Sequence, residues 1–154
     1  MRFVVRVFEK HMEKISSYKQ DNFKSNDILA IIRKDFEGIS FVVESGKKAS
    51  QKIQVPVLFG RKGVPSQFFE ADAYSISKKT VLEVEAGRGF LNNQFLKDLF
   101  QACMMHDVEY LVIAVRNIYL KKNKDFEGVV SFFDTLYASD RMSLPLKGIL
   151  VIGY

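Results

Sequence analysis

TVLEVEAGRG, residues 80–89, reads as a strand of apolar and β-branched residues that carries two glutamates, Glu83 and Glu85, and stops at Gly87-Arg88-Gly89. Strand alternation puts Val81, Glu83 and Glu85 on one face and Leu82, Val84 and Ala86 on the other. The two carboxylates then stand about 7 Å apart or less, and each resists the ionisation of the other. A solvent-facing hairpin tolerates that. A strand covered by helices does not, unless a cation or a basic residue compensates.

The neighbouring stretch repeats the pattern. QFFEADAYSIS (67–77) and KTVLEVEAG (79–87) read as paired strands joined at about Ser77-Lys78-Lys79. Alternation places Glu70, Asp72 and Tyr74 on one face, and Phe69, Ala71 and Ala73 on the other. In a tight hairpin the two acidic sets converge, and three or four carboxylates meeting at one sheet end make a divalent-cation site. The competing reading is an antiparallel hairpin that displays its acids to water.

Working outward, residues 3 to 18 place Val4, Phe8, Met12 and Ile15 at helical spacing. Ser25-Asn26-Asp27 is an N-cap cluster for a helix over Ile28 to Phe36 that Gly38 ends. ISFVVES (39–45) and KIQVPVLFG (52–60) are strand-like, with Pro56 marking an edge or a bulge. Residues 60–65 read as a loop. Downstream, residues 91 to 105 read as a helix with Phe95, Leu99 and Ala102 on one side and Gln94, Lys97, Asp98 and Gln101 on the other. EYLVIAVRN (109–117) is the nearly continuous apolar run of a strand buried on both faces. An amphipathic helix over 126–138, built on Phe126, Val129, Val130, Phe133 and Tyr137, precedes a last strand, LKGILVIGY (146–154). Helices, then antiparallel strands, then helix, strand, helix, strand, describe an α/β sandwich whose late strands are parallel and whose mixed β-sheet is flanked by helices.

The chain of 154 residues is sized for a single domain, 1–154, with N-terminal helices over 1–37 and a core over 38–154. One cysteine, Cys103, excludes an internal disulfide framework, and His11 and His106 form no metal-ligand spacing. All three read as structural. Any metal is therefore held by carboxylates, which points to magnesium or manganese, with calcium the other oxygen-liking ion. No apolar run approaches the length of a membrane span, and the start of the chain is no secretory signal, so the expectation is a cytoplasmic protein without a membrane partner. Net charge is +5. Basic pairs at Arg33-Lys34, Lys47-Lys48, Arg61-Lys62, Lys78-Lys79 and Lys121-Lys122 are each ordinary loop charge taken singly, and together favour a polyanionic partner.

Asp72, ten residues, then Glu83-Val84-Glu85, followed by helix, buried strand and helix, resembles the PD-(D/E)xK nuclease superfamily. The resemblance implies the restriction-endonuclease-like three-layer fold over roughly residues 25 to 154. Asp72 and Glu83 would match the metal-binding acids, with the Val84 carbonyl completing the site and Glu70 an extra acid. Glu85 stands where the family usually has lysine, and Ala71 where it usually has proline. Some members carry glutamate at the lysine position, where Glu85 would act as general base or ligand. In others the lysine sits on the following helix, which singles out Lys97. Arg88 is a candidate phosphate contact, and Gln94, Gln101 and, more weakly, Glu13 are further candidates near such a site. The implied activity is magnesium-dependent hydrolysis of DNA phosphodiesters, with a restriction role as the analogy that the fold suggests. Manganese would be an alternative ion, a homodimer is in keeping with the family, and Lys47, Lys48, Arg61, Lys62, Lys121 and Lys122 would hold the backbone. The competing reading from another class is an inactive nuclease-fold module that binds nucleic acid or a protein partner.

Overall fold

The computed structural model describes residues 1–87 and 89–154. Two helices lead, α1 (Arg2–Ile15) and α2 (Ser25–Gly38). The Asp27 carboxylate accepts the backbone N–H of Lys24 at 2.8 Å and so fixes the first turn of α2. Then come β1 (Val42–Val43), β2 (Ile53–Phe59), β3 (Pro65–Ala71), β4 (Ala73–Ser75) and β5 (Thr80–Glu85). The chain continues through α3 (Gln94–Met104), β6 (Tyr110–Val115), α4 (Asp125–Ser139) and β7 (Gly148–Gly153).

Five strands form one mixed sheet in the order β1-β4-β5-β6-β7. β1 and β4, and β4 and β5, are antiparallel, whereas β5, β6 and β7 run parallel through the crossovers α3 and α4. Leu111, Ile113 and Val115 of β6 pack with Phe95, Leu99, Val129 and Phe133 from α3 and α4. Val112 and Ala114 pack with Val4, Phe8, Ile28, Ile32 and Phe36 from α1 and α2. A strand with a helical layer on each face needs apolar residues at every position, which accounts for the unbroken run in the sequence. β5 divides in the same way: Leu82 and Val84 face α1 and α2, and Val81 faces α3 and α4. Alternation therefore turns Glu83 and Glu85 toward α3.

The structure corrects several expectations. ISFVVES contributes only the two-residue β1. QFFEADAYSIS is not one strand: it breaks at Asp72, and β3 leaves the main sheet to pair with β2 in a separate two-stranded sheet. The break lets Asp72 turn its side chain onto β5 instead of continuing the ladder. Residues 60–65 are tighter than a loop, because Arg61–Gly63 forms a 3-10 turn and Pro65 already belongs to β3. The register shifts next to Pro56, where a residue without an N–H interrupts the pairing. Tyr137, expected on the packed side of α4, is exposed. No helix among the described residues is long and apolar enough to cross a membrane.

Candidate functional site

Asp72 sits at the point where the two sheets part. Ala73 pairs with Leu82, and one step on, the Asp72 carboxylate takes over from the backbone, accepting the N–H of Val84 at 2.7 Å. The carbonyl of Asp72 accepts the N–H of Glu44 at 2.8 Å. Asp72 thus ties the end of β1 to the end of β5.

Around it lies a pocket of about 170 Å³ lined by six carboxylates, Glu44, Glu70, Asp72, Glu83, Glu85 and Asp98, and by two lysines, Lys52 and Lys97. Ser25, at the start of α2, and Gln101 complete the polar lining. The Ser25 hydroxyl accepts the N–H of Ala86 at 3.4 Å, so the N-terminus of α2 abuts the end of β5. Lys52 reaches in from the residue before β2, with Nζ 2.8 Å from Glu44 and 3.6 Å from Glu70. Glu44 is held from behind, because Arg33 donates to its carbonyl at 2.8 Å. The Tyr154 hydroxyl donates to the Glu85 carbonyl at 3.1 Å. Gly89 leaves room for Glu85: a Cβ there would lie 2.9 Å from the Glu85 Cβ.

Crowded, buried carboxylates cannot all ionise. Burial pushes Asp72 up to about 7, against the opposing Val84 N–H, with Glu44 and Glu85 adding to the rise. Burial raises Glu85 to about 8, and Asp98 beside it contributes through its charge and a shared hydrogen bond. Asp98 is itself raised to about 6, chiefly by burial. Glu83 lies well above the ordinary glutamate range because it is buried beside Asp72 and Asp98. Without a bound cation, burial and mutual repulsion therefore hold these carboxylates above the ordinary carboxylate range.

Of the residues singled out in the sequence, Asp72, Glu83, Val84, Glu85, Glu70, Lys97 and Gln101 line this pocket. Gln94 and Glu13 do not, and Glu13 is exposed on α1. Arg88 lies outside the described residues. Lys47 and Lys48 are in the turn before β2, and Arg61 and Lys62 are at the tip between β2 and β3. Lys121 and Lys122 follow β6, with Lys121 3.8 Å from Asp21. His11 is paired with Asp35 at 2.6 Å, His106 packs against Phe59, and Cys103 is half-buried beside the α3–α4 core.

Asp98, Glu44 and Lys52 were not among the site residues expected from sequence. The structure corrects the placement of Asp98: expected on the side of α3 opposite Phe95, Leu99 and Ala102, it is buried at 4% exposure on the packed side, where its spacing of three residues after Phe95 and four before Ala102 places it. Lys52 had no such signal, since nothing local says that it returns to the sheet end.

Among the described residues, no three acidic, histidine or cysteine side chains are gathered tightly enough to be a ready-made metal cage. The donor chemistry nevertheless fits a hard cation. Every acid in the pocket offers oxygen, and Asp98 Oδ2 is buried without a hydrogen-bond donor. Comparison of the chain with family models, curated proteins and solved structures gave no match.

Proposed function

We propose that this protein is a magnesium-dependent endonuclease that hydrolyses phosphodiester bonds in DNA, with a fold of the restriction-endonuclease-like kind. The observation that carries the reading is the convergence of Asp72 from the β3–β4 break, Glu83 and Glu85 from β5 and Asp98 from α3 on one pocket. The topology supports it. With β2 and β3 read as an insertion, the order α2, β1, β4, β5, α3, β6 is helix, antiparallel meander, helix, parallel strand, which is the core order of the PD-(D/E)xK superfamily.

Asp72 and Glu83, with the Val84 carbonyl, would hold the ion, and Asp98 offers its undonated oxygen. A bound magnesium or manganese ion supplies charge neutralisation at phosphate and a more acidic water. The chain's own groups do the rest. Glu85, raised to about 8, is suited to take and release a proton near neutral pH and stands in place of the usual lysine. Lys97 and Lys52 bring positive charge to the pocket that a scissile phosphate would enter.

The test is nicking of supercoiled plasmid with magnesium, with manganese and with EDTA, alongside Asp72→Asn and Glu83→Gln. Metal-dependent nicking that both variants lose supports the reading. Glu85 at the lysine position favours a second reading, an inactive module that binds DNA without cutting it. Retained DNA binding with no nicking under either metal would select that one.

A further inference from the structure

The acidic pocket lies in a basic protein, and the excess charge has one address. Residues 46–69 contain Lys47, Lys48, Lys52, Arg61 and Lys62 and no aspartate or glutamate. The chain has 23 Lys and Arg against 18 Asp and Glu, so removing these five cations leaves 18 against 18, and the rest of the chain is neutral. This segment is the turn before β2, β2 itself, the tip and most of β3.

Its placement matters as much as its charge. The arm begins at the pocket, where Lys52 and Ala71 are lining residues and Ile53 pairs with Ala71. It then runs along α3: the Pro56 carbonyl accepts the N–H of His106 at 2.7 Å, and the Phe59 ring lies 4.7 Å from that of His106. His106 follows the far end of α3, so the tip is one strand length from the pocket, roughly 20 Å. Among the described residues, Lys47, Lys48, Arg61 and Lys62 form no ion pair within 4.0 Å, unlike Lys10, Lys79, Lys121, Lys124 and Lys147. Gln54, Ser66, Gln67 and Phe68 between them are exposed.

We propose that the β2–β3 arm is the element that holds duplex DNA, gripping backbone near the pocket through Lys47 and Lys48 and about six phosphates further along through Arg61 and Lys62. The inference rests on the nuclease reading and adds to it the part of the chain that binds. A two-stranded ribbon enters the major groove of B-form DNA, whereas the deep, narrow major groove of A-form RNA does not admit side chains. The exposed amides of Gln54 and Gln67 are of the type that reads base edges there.

The test measures fluorescence anisotropy of a labelled DNA duplex, and of an RNA duplex of the same sequence, in EDTA over a range of KCl. Cleavage does not enter the readout. Arg61→Gln with Lys62→Asn removes the tip charge. Lys62 has φ 64°, a left-handed conformation that asparagine tolerates, so this variant keeps its turn. Lys10→Gln with Lys14→Gln removes equal charge from α1. The arm variant is expected to weaken DNA binding roughly tenfold at moderate salt and to reduce the slope of log K against log[KCl] by about 2, with the α1 variant unchanged. Equal loss in both variants, an unchanged slope in the arm variant, or equal binding of RNA would overturn the inference while plasmid nicking still stands. No binding of either duplex, together with no nicking, would remove the nuclease reading as well.

Discussion

The Asp72 carboxylate accepts the backbone N–H of Val84 at 2.7 Å, so a side chain completes the β4–β5 ladder where the backbone has turned away. One residue therefore serves both the fold and the pocket, and the substitution chosen at this position decides what is measured. Asp72→Asn keeps an acceptor for the Val84 N–H and loses only the charge. Asp72→Ala leaves that N–H without a partner and is expected to cost about 1–2 kcal/mol more in urea unfolding than Asp72→Asn. Both should lose cleavage, and equal stability of the two would show that this bond contributes nothing.

Glu83→Gln is expected to stabilise the metal-free protein while abolishing nicking. Glu83 is buried beside Asp72 and Asp98, where like charges repel, and an amide of the same shape removes that repulsion. At pH 8 the gain should be about 1–2 kcal/mol, seen as a higher unfolding midpoint. A destabilised variant would mean that Glu83 already has compensation.

Stability without metal should fall as pH rises from about 4 to about 8. Asp72, Asp98 and Glu85 are held at about 7, 6 and 8, above the ordinary carboxylate range near 4. Across that window the folded protein retains protons that the unfolded chain has released, so the contribution is full below the ordinary values and is lost through the raised ones. Thermal melts at pH 5 and pH 8 in EDTA check the sign.

Magnesium should reverse that loss. A cation binds the ionised carboxylates and displaces their protons, so millimolar magnesium should raise the melting temperature more at pH 8 than at pH 5. The rise should vanish in Asp72→Asn combined with Glu83→Gln. An equal rise in that double variant would place the ion elsewhere.

Arg116 supports the fold away from the pocket. It is 2% exposed and donates to the carbonyls of Asp21 at 2.7 Å and Phe23 at 2.5 Å, pinning the α1–α2 connection to the end of β6. Arg116→Met strands both carbonyls and removes the charge that faces buried Asp125. It should cost about 2–4 kcal/mol in denaturant unfolding and leave the affinity of the folded protein for magnesium unchanged.

Much of the architecture was legible from local pattern. The unbroken run Tyr110–Val115 marked a strand covered on both faces, and the segments around it marked crossover helices, because burial on two faces or on one stripe leaves a direct imprint on residue choice. The facing of Glu83 and Glu85 followed from strand alternation alone. The break at Asp72 did not, since QFFEADAYSIS alternates straight through it and only the competing pairings of β3 with β2 and β4 with β5 divide it.

The sequence by itself determined which residues share a face within each element: Glu83 with Glu85 on β5, and Phe95 with Leu99 and Ala102 on α3. Those relations depend on backbone periods of two and 3.6 residues, which hold wherever the element is placed. Only the tertiary structure decided that these faces meet each other, that Glu44 and Lys52 join them, and that the cations of the β2–β3 arm run away from the same pocket. Contacts such as Ser25 with Ala86, or Lys52 with Glu70, join residues whose separation in the chain carries no period, so no local pattern records them.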